Sequence, residues 1–275
     1  MVRGMYTATS GALVAQSAVD TIANNLANVN TPGFKQTLLQ VQAQPQTQLY
    51  RIQTDPGRVQ NALTAGVPAM EPIGTLGSGS EIYDTPSDFQ QGAISSTGND
   101  LDVALSGPGF FAIQAGDGTR AYTRDGSFTR DANGYLTAAN GDRVLNTGGQ
   151  PIQLPDAGTV GIARDGTVTV TQTGLGQDNV PQVVGQLQVV EFGNISALRP
   201  QGSSRYVDTG AAAPAAATAT TALQGSVETS NANVVTSMVG LITNERWFDM
   251  NIQMIQAQDA TTGQAIQNVG RSTPT

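Results

Sequence analysis

"ANNLANVNTPGFK", residues 23–35, is the point at which an apolar repeat stops and the chain changes character. The residue before a proline is pushed away from the α region, and glycine tolerates a positive φ. Asn30-Thr31-Pro32-Gly33 therefore predicts the end of a helix, with Phe34 as the first apolar residue beyond it. The stretch also holds four asparagines, so this helix end is rich in amides.

The chain before this turn carries a heptad repeat of apolar and small residues. Two series, three residues apart, run through it as the a and d positions of a coiled coil do. They consist of Met5, Ala12, Val19 and Leu26, and of Ala8, Ala15, Ile22 and Val29. The pattern fits either one amphipathic helix packed on its own domain or a helix that pairs with another helix.

The opposite end of the chain carries a matching pattern. One series is spaced seven apart throughout and consists of Val227, Val234, Leu241, Phe248, Ile255, Thr262 and Val269. A second series is supplied in part by Met238, Ile252 and Ile266 and is interrupted by Glu245 and Asp259. Thr229 or Ser230 can cap a helix from Asn233 to Val269, which would be about 55 Å long. Each end needs an apolar partner, and each can serve as the other's.

The region between the two repeats divides into a polar arm and a β-rich part. Residues 36–84 are rich in Gln, Pro and Gly, and Thr64–Ser80 reads as irregular chain. Short alternating runs follow, punctuated by Asp-Gly and Asn-Gly pairs at residues 125, 133, 140 and 165 that are typical of hairpins. The longest strand candidate is Val183–Phe192, and the low-complexity residues 210–222 read as a loop.

The sequence therefore predicts an α+β fold. Its amino- and carboxy-terminal helices form a coiled-coil layer, and an antiparallel β-rich domain, a sandwich or a partly open barrel, is inserted between them. The predicted segments are 1–35 for the first helix, 36–84 for the arm, 85–226 for the β-rich domain and 227–275 for the second helix. A layout of this kind is more typical of an assembly subunit than of an enzyme.

Composition excludes several kinds of chemistry. The chain of 275 residues has no cysteine and no histidine, which removes thiolate nucleophiles, imidazole bases and most zinc or haem sites. A net charge of −8 argues against nucleic acid as a partner. The start of the chain has no continuous apolar region of the kind found in signal peptides. We expect no catalytic residues, no metal, no cofactor and no small-molecule substrate.

The remaining candidate for a site is a cluster of aspartates. Asp117, Asp125 and Asp131 lie in a segment with an Asp-Ala-Asn-Gly fragment, but the further oxygen ligands and the later glutamate of a calcium loop do not follow. These aspartates are interpreted as turn residues. An Asp/Glu pair for glycan cleavage is compatible with the composition, although no motif indicates one.

Three separate stretches resemble the axial family of bacterial flagellar rod and hook proteins. "SGALVAQSAVDTIANNLANVNTPGFK" is similar to that family's first axial helix, and "NDLDVALSGPGFFAIQAGDGTRAYTRDGSFTRDANGYLTAANGDRVL" to its central β domain. "GSVETSNANVVTSMVGLITNERWFDMNIQMIQAQD" resembles its carboxy-terminal axial helix. The three stand in the family's order, and the arm and residues 210–222 match least.

The resemblance implies a structural subunit of the basal-body rod. Many copies would form a helical tube that transmits torque from motor to hook, with the distal rod preferred over the proximal rod. It also implies export through the flagellar type III apparatus, contacts with other rod and hook subunits, and a location in the basal body. The alternatives are a hook-type subunit, a secreted β-domain binding module with helical stalks and a glycan-cleaving enzyme.

Two sets of residues are expected to matter for assembly. The first packs the two helices together, within or between subunits: Val19, Ile22, Leu26 and Val29 on one, and Val234, Met238, Leu241, Phe248, Ile252 and Ile255 on the other. The second is the signature itself, in which the amides of Asn24, Asn25, Asn28 and Asn30 meet neighbouring subunits. Thr31, Pro32, Gly33 and Phe34 then turn the chain outward into the arm.

Overall fold

The computed structural model describes residues 2–52, 70–172, 180–211 and 214–271 of the chain. The fold is α+β, and the described residues form one long helix near each end and twenty short strands between them. Every strand pairing among the described residues is antiparallel. The chain forms two compact units, each built from segments that are separated in sequence.

The two helices are α1, Val2–Ala27, and α2, Val234–Arg271. At 1.5 Å per residue, the 38 residues of α2 span about 57 Å. The side chain of Asn233 caps α2 by accepting hydrogen bonds from the amides of Val235 and Thr236, so the prediction of a cap at Thr229 or Ser230 was wrong. Val227 lies in a strand before the helix, and the side chain of Val269 lies outside the described residues.

The helical unit comprises the described residues of Met1–Ile22, Leu39–Thr85 and Val239–Thr275. It adds two strand pairs to the helices: β1, Gln40–Ala43, with β4, Ser80–Asp84, and β2, Thr47–Ile52, with β3, Met70–Leu76. The strand β3 corrects the interpretation of Thr64–Ser80 as irregular chain. Residues 53–69 of the expected arm lie outside the described part.

The β unit comprises Ala23–Leu38 and the described residues of Pro86–Met238. Its largest sheet has nine strands: β7 (Phe110–Gln114), β8 (Arg120–Thr123), β9 (Thr129–Arg130), β10 (Leu136–Thr137), β11 (Arg143–Val144), β15 (Val189–Glu191), β16 (Leu198–Gly202), β17 (Arg205–Asp208) and β18 (Ala215–Ala216). A three-stranded sheet holds β12 (Thr159–Ile162), β13 (Thr167–Thr171) and β14 (Pro181–Gln186). The pairs β5–β20 (Ile94–Ser96 and Ser226–Glu228) and β6–β19 (Val103–Ser106 and Thr221–Gln224) complete it.

Strand β7 is the centre of this unit because both of its faces are covered. Phe111 and Ile113 point into one apolar core, while Phe110 and Ala112 point into a second core rich in aromatic rings. Side chains alternate between the faces of a strand, so a continuous apolar run is expected when both faces are buried. Phe110 packs edge-on against Phe89, with ring centroids 5.6 Å apart.

Three of the four predicted turn glycines join paired strands. Gly134, Gly141 and Gly166 have φ values of 82°, 86° and 83° and connect β9 to β10, β10 to β11 and β12 to β13. Asp125-Gly126 does not form a hairpin. A methyl group on Gly126 would lie 1.8 Å from the carbonyl oxygen of Val103, so this glycine serves a close approach of two backbones.

Two other segments differ from expectation. Val183–Phe192 is split between β14 and β15, which belong to different sheets. The break falls at Leu187, which is buried and donates its amide to the carbonyl of Gly166. The expected loop at 210–222 contains β18 and the first residues of β19, and its residues 212–213 lie outside the described part.

Candidate functional site

The terminal helices pack together in antiparallel fashion within the helical unit. A methyl group on Gly4 would meet the amide of Gln258, and one on Gly11 would lie 3.0 Å from Oδ1 of Asn251. Further along, Ile22 Cδ1 lies 3.3 Å from where a Cβ of Gly240 would be. As the residue number rises along α1, the number of the contacting residue on α2 falls by the same amount. The two helices therefore keep one register over this length.

Small residues and amides, more than large apolar side chains, line this helix pair. The buried apolar positions in the described part of α1 are Ala8, Ala12 and Ala15, all members of the predicted heptad series. On α2 the half-buried positions include one predicted series, with Leu241 and Phe248, and a second series that is polar, namely Asn244, Asn251 and Gln258. Alanine buries little area, so the helix pair gains a modest hydrophobic free energy.

The predicted packing residues are distributed unevenly. Val19, Ile22, Leu241, Phe248, Ile252 and Ile255 are half-buried members of the helical unit. Leu26 and Val29 are half-buried in the β unit, and Val234 and Met238, at the start of α2, are exposed. The structure brings Ile22 next to α2 at Gly240, and the remaining pairings stay predictions.

The signature turn lies in the β unit and depends on one glycine. Gly33 has a φ of 66°, and a methyl group there would lie 2.3 Å from the amide nitrogen of Asp125 and 2.4 Å from the carbonyl carbon of Arg124. Its own amide donates to the carbonyl of Glu228 over 2.8 Å. Both the backbone angle and the available space therefore require glycine here.

Two asparagine side chains hold the backbone that follows the turn. Asn25 accepts from the amide of Thr37 and donates to the carbonyl of Thr37, both over 2.8 Å. Asn231 accepts from the amide of Gln36 over 2.7 Å and donates to the carbonyl of Asp88 over 2.8 Å. A primary amide can donate and accept at once, so each asparagine satisfies two backbone groups that a carboxylate could not.

A buried ion cluster lies at the end of the signature. Nζ of Lys35 is 2.6 Å from Oε1 of Glu228, and Nη1 of Arg124 is 3.3 Å from Oε2 of the same carboxylate. Lys35 also donates to the carbonyl of Gln90 over 2.7 Å, and the amide of Gly92 donates to Glu228 over 2.8 Å. The Lys35 and Glu228 side chains are fully buried, so the carboxylate is shielded from solvent and depends on these donors.

Burial shapes the electrostatics of the cluster. It lowers the pKa of Lys35, while the hydrogen bond and the charge of Glu228 oppose that shift. It lowers the pKa of Arg124 in the same way, and the guanidinium also lies 4.7 Å from the ring centroid of Phe110. Two cations share one carboxylate, so Glu228 is the group on which the cluster depends.

These residues form the junction, by which we mean residues 33–37 with Asn25, Arg124, Glu228 and Asn231. For Asn25 alone, the junction corrects the expectation that the signature amides meet neighbouring subunits, because this residue is buried and its contacts lie within its own chain. Asn28 bonds the carbonyl of Asn24 and accepts from Thr31. Asn24 and Asn30 are exposed and remain available to other molecules.

Sequence reasoning did not identify the ion cluster. A signal was present, because Lys35 is the only lysine of the chain and stands at the end of the signature. Its partner Glu228 lies 193 residues away, just before the Ser-Asn-Ala-Asn stretch that contains Asn231. A separation of this length follows no periodic pattern, so the sequence could not predict that these two residues pair.

Other chemistry is limited in the described part of the chain. Asp117, Asp125 and Asp131 accept hydrogen bonds from backbone amides two residues further on, as turn residues do. Among the described residues, no group of three or more acidic side chains could hold a metal ion. Neither described helix is long and apolar enough to cross a membrane.

Three family models match this chain in separate regions. The model described as "Flagella basal body rod protein" matches residues 5–35, and "Flagellar hook protein FlgE/F/G D1 domain" matches residues 104–170. The model described as "Flagellar basal body rod FlgEFG protein C-terminal" matches residues 223–268. The first and last of these regions contain Lys35 and Glu228.

Whole-length relatives carry rod names. The chain is 35% identical over 277 residues to the flagellar basal-body rod protein FlgG of Borreliella burgdorferi, with 96% of this chain and 97% of the relative covered. It is 35% identical to the FlgG protein of Bacillus subtilis, with 94% and 96% covered. It is 29% identical to the flagellar basal-body rod protein FlgF of Caulobacter vibrioides, with 98% and 99% covered.

Proposed function

This chain belongs to the flagellar basal-body rod protein family, and we propose that it polymerises through its paired terminal helices into the distal part of the rod. In that role it is a structural subunit of the basal body, and its task is mechanical. Many copies form a helical tube that carries torque from the motor to the hook. The β unit, which holds both apolar cores, is folded before assembly begins.

The observation that carries the proposal is the antiparallel pairing of two terminal helices that keep a heptad register and stay half-exposed. Nine large apolar side chains in the described part of α2 are exposed in the single chain: Val234, Val235, Met238, Val239, Ile242, Trp247, Met250, Met254 and Ile266. In a monomer these side chains stay in contact with water and add nothing to stability, whereas a polymer buries them between copies. Each buried side chain of this size contributes about 1.5–3 kcal/mol.

The partners follow from the family. The subunit assembles with copies of itself and with other rod and hook subunits, and the flagellar export apparatus delivers it. The higher identity to FlgG than to FlgF relatives supports the distal over the proximal position. The coverage of rod relatives over nearly their whole length supports a rod subunit over a hook subunit.

The test is a charge placed in the helix pair. We expect Phe248→Asp to abolish polymer formation, because Phe248 is half-buried on the inner face of α2 and a carboxylate there would be desolvated on assembly. Light scattering against protein concentration and electron microscopy measure the polymer. Gln201→Asp adds the same charge at an exposed site in the β unit and should polymerise as the unchanged chain does.

Circular dichroism separates loss of assembly from loss of folding. The Phe248→Asp variant should keep the β-sheet signal and its unfolding midpoint, because Phe248 belongs to the helical unit and both apolar cores belong to the β unit. Tubes of normal length from Phe248→Asp would contradict the proposal.

A further inference from the structure

An apolar groove of about 960 Å³ runs along the helical unit. Small residues of α1, among them Gly11 and Ala15, line one side of it, and Trp247, Met250 and Met254 of α2 line another. Leu39, Val41 and Ser80, in and beside β1 and β4, line it as well. None of the residues that line it carries a charge. Trp247 is 56% exposed and Met254 is 63% exposed, so the groove is open along the α2 wall.

The same unit carries an apolar ridge on another face. Tyr6 and Leu13 of α1 are 69% and 59% exposed and stand seven residues apart, about 10.5 Å along the helix. Trp247 and Met254 are also seven residues apart, with Met250 between them. The ridge and the groove therefore have the same spacing.

Ridge and groove lie on different sides of α1. At 100° per residue, Tyr6 and Leu13 point roughly 140° away from the middle of the face that lines the groove. The ridge of one molecule therefore does not reach its own groove. When two complementary surfaces lie on different faces of one molecule, copies join head to tail. Each added copy then leaves one free ridge and one free groove.

A second copy can occupy the groove without bringing like charges together. The chain has a net charge of −8, so two copies repel each other wherever their acidic surfaces meet. Residues 4–19 of α1, which include the ridge, hold no charged side chain, and the groove holds none. Contact between these two surfaces buries apolar area without bringing like charges together.

We infer that the ridge formed by Tyr6 and Leu13 of one copy docks into the groove beside Trp247, Met250 and Met254 of the next. This inference rests on the proposed function and specifies the contact that propagates the polymer. The ridge lies along the α2 wall of the receiving copy, where Trp247 and Met254 are more than half exposed.

The absence of cysteine from the chain permits a direct test. Leu13→Cys and Met250→Cys are prepared as separate full-length variants, and the second carries an affinity tag that makes it larger. The two are mixed, polymerised and exposed to a mild oxidant. We expect a cross-linked pair of mixed size, at least tenfold above that from Leu13→Cys mixed with Gln201→Cys.

The double variant with both cysteines in one chain should give a ladder of dimers, trimers and longer products, since each copy offers one ridge and one groove. Emission of Trp247, the only tryptophan, should shift to the blue on polymerisation of the unchanged chain. Replacing Leu13 by Ser should reduce that shift.

Other results would overturn the inference. Polymers that form without the mixed product would contradict the contact while leaving the rod function intact. Products of Leu13→Cys with itself, at the level expected for the mixed pair, would indicate a symmetric contact instead. No polymer under any condition would count against the proposed function and this contact together.

Discussion

The junction and the helix pair contain similar kinds of residue but use them for opposite purposes. In the junction, asparagine and charged side chains are buried, and each finds its partner inside the chain, as Asn25 does with Thr37 and Lys35 with Glu228. In the helix pair, amides such as Asn251 are only half-buried, and apolar side chains such as Trp247 are exposed. One region is complete in the single subunit, and the other is left for neighbours to complete.

The difference shows how a polymer subunit keeps folding separate from assembly. Breaking a buried ion cluster costs several kcal/mol. The cluster therefore holds the two segments of the β unit together before any neighbouring subunit binds. A helix pair lined by alanine and amides gains little from its own packing. It therefore gains most of its buried area from contacts with other copies.

The largest expected effect comes from removing the carboxylate of the junction. Glu228→Gln leaves Lys35 and Arg124 buried with like charges and no anion, and we expect the β unit to lose about 3–5 kcal/mol. Urea unfolding followed by circular dichroism measures this loss. Asp156→Asn, which removes the exposed partner of Arg130, is the control and should leave the midpoint unchanged. Equal midpoints for both variants would mean that the cluster does not hold the β unit together.

The next effect comes from the signature glycine. Gly33→Ala places a methyl group within 2.4 Å of the Arg124–Asp125 backbone in a left-handed conformation, and about 2–4 kcal/mol should be lost. Gly141→Ala is the matched control, because its φ is 86° and nothing lies within 4 Å. The control should lose about 1 kcal/mol, from backbone strain alone. If the two variants unfold at the same urea concentration, the steric part of this account fails.

A smaller effect distinguishes the two roles considered for the signature amides. Asn25→Ala leaves the amide and the carbonyl of Thr37 without partners and should cost about 1–3 kcal/mol in the β unit. Asn24→Ala, at the neighbouring exposed position, should leave stability unchanged. Thermal unfolding of the two variants side by side decides the matter. A stable Asn25→Ala variant that fails to polymerise would restore the view that this amide serves subunit contacts.

The smallest effect is expected in the helix pair. Gly263→Ala should stabilise α2 by about 0.5–1 kcal/mol, because nothing lies within 4 Å and alanine favours helix. Gly11→Ala should gain less, since its methyl group would lie 3.0 Å from Asn251 Oδ1. Amide hydrogen exchange across α1 and α2 measures both changes. Equal protection in both variants would show that Gly11 is not crowded.

Much of the architecture was predictable because it depends on local patterns. The heptad series marked both helices, and Pro32-Gly33 marked the turn after the first, since helical periodicity and turn chemistry act over a few residues. The helix itself ends earlier than predicted, at Ala27. Asn133-Gly134, Asn140-Gly141 and Asp165-Gly166 marked three turns for the same reason. The second series of α2 could not be read correctly, because Asn251 and Gln258 are polar and only the position of α1 brings them inward.

By itself, the sequence determined that this protein has two heptad helices around a β-rich region, that it lacks the groups of common catalytic sites, and that it resembles the flagellar axial family. Periodicity, composition and a signature motif are properties of the chain and need no coordinates. Only the tertiary structure decided that Lys35, Arg124 and Glu228 form one buried cluster and that Asn25 serves its own chain. Those contacts join residues up to 193 positions apart, and burial, which sets their strength, exists only in the folded molecule.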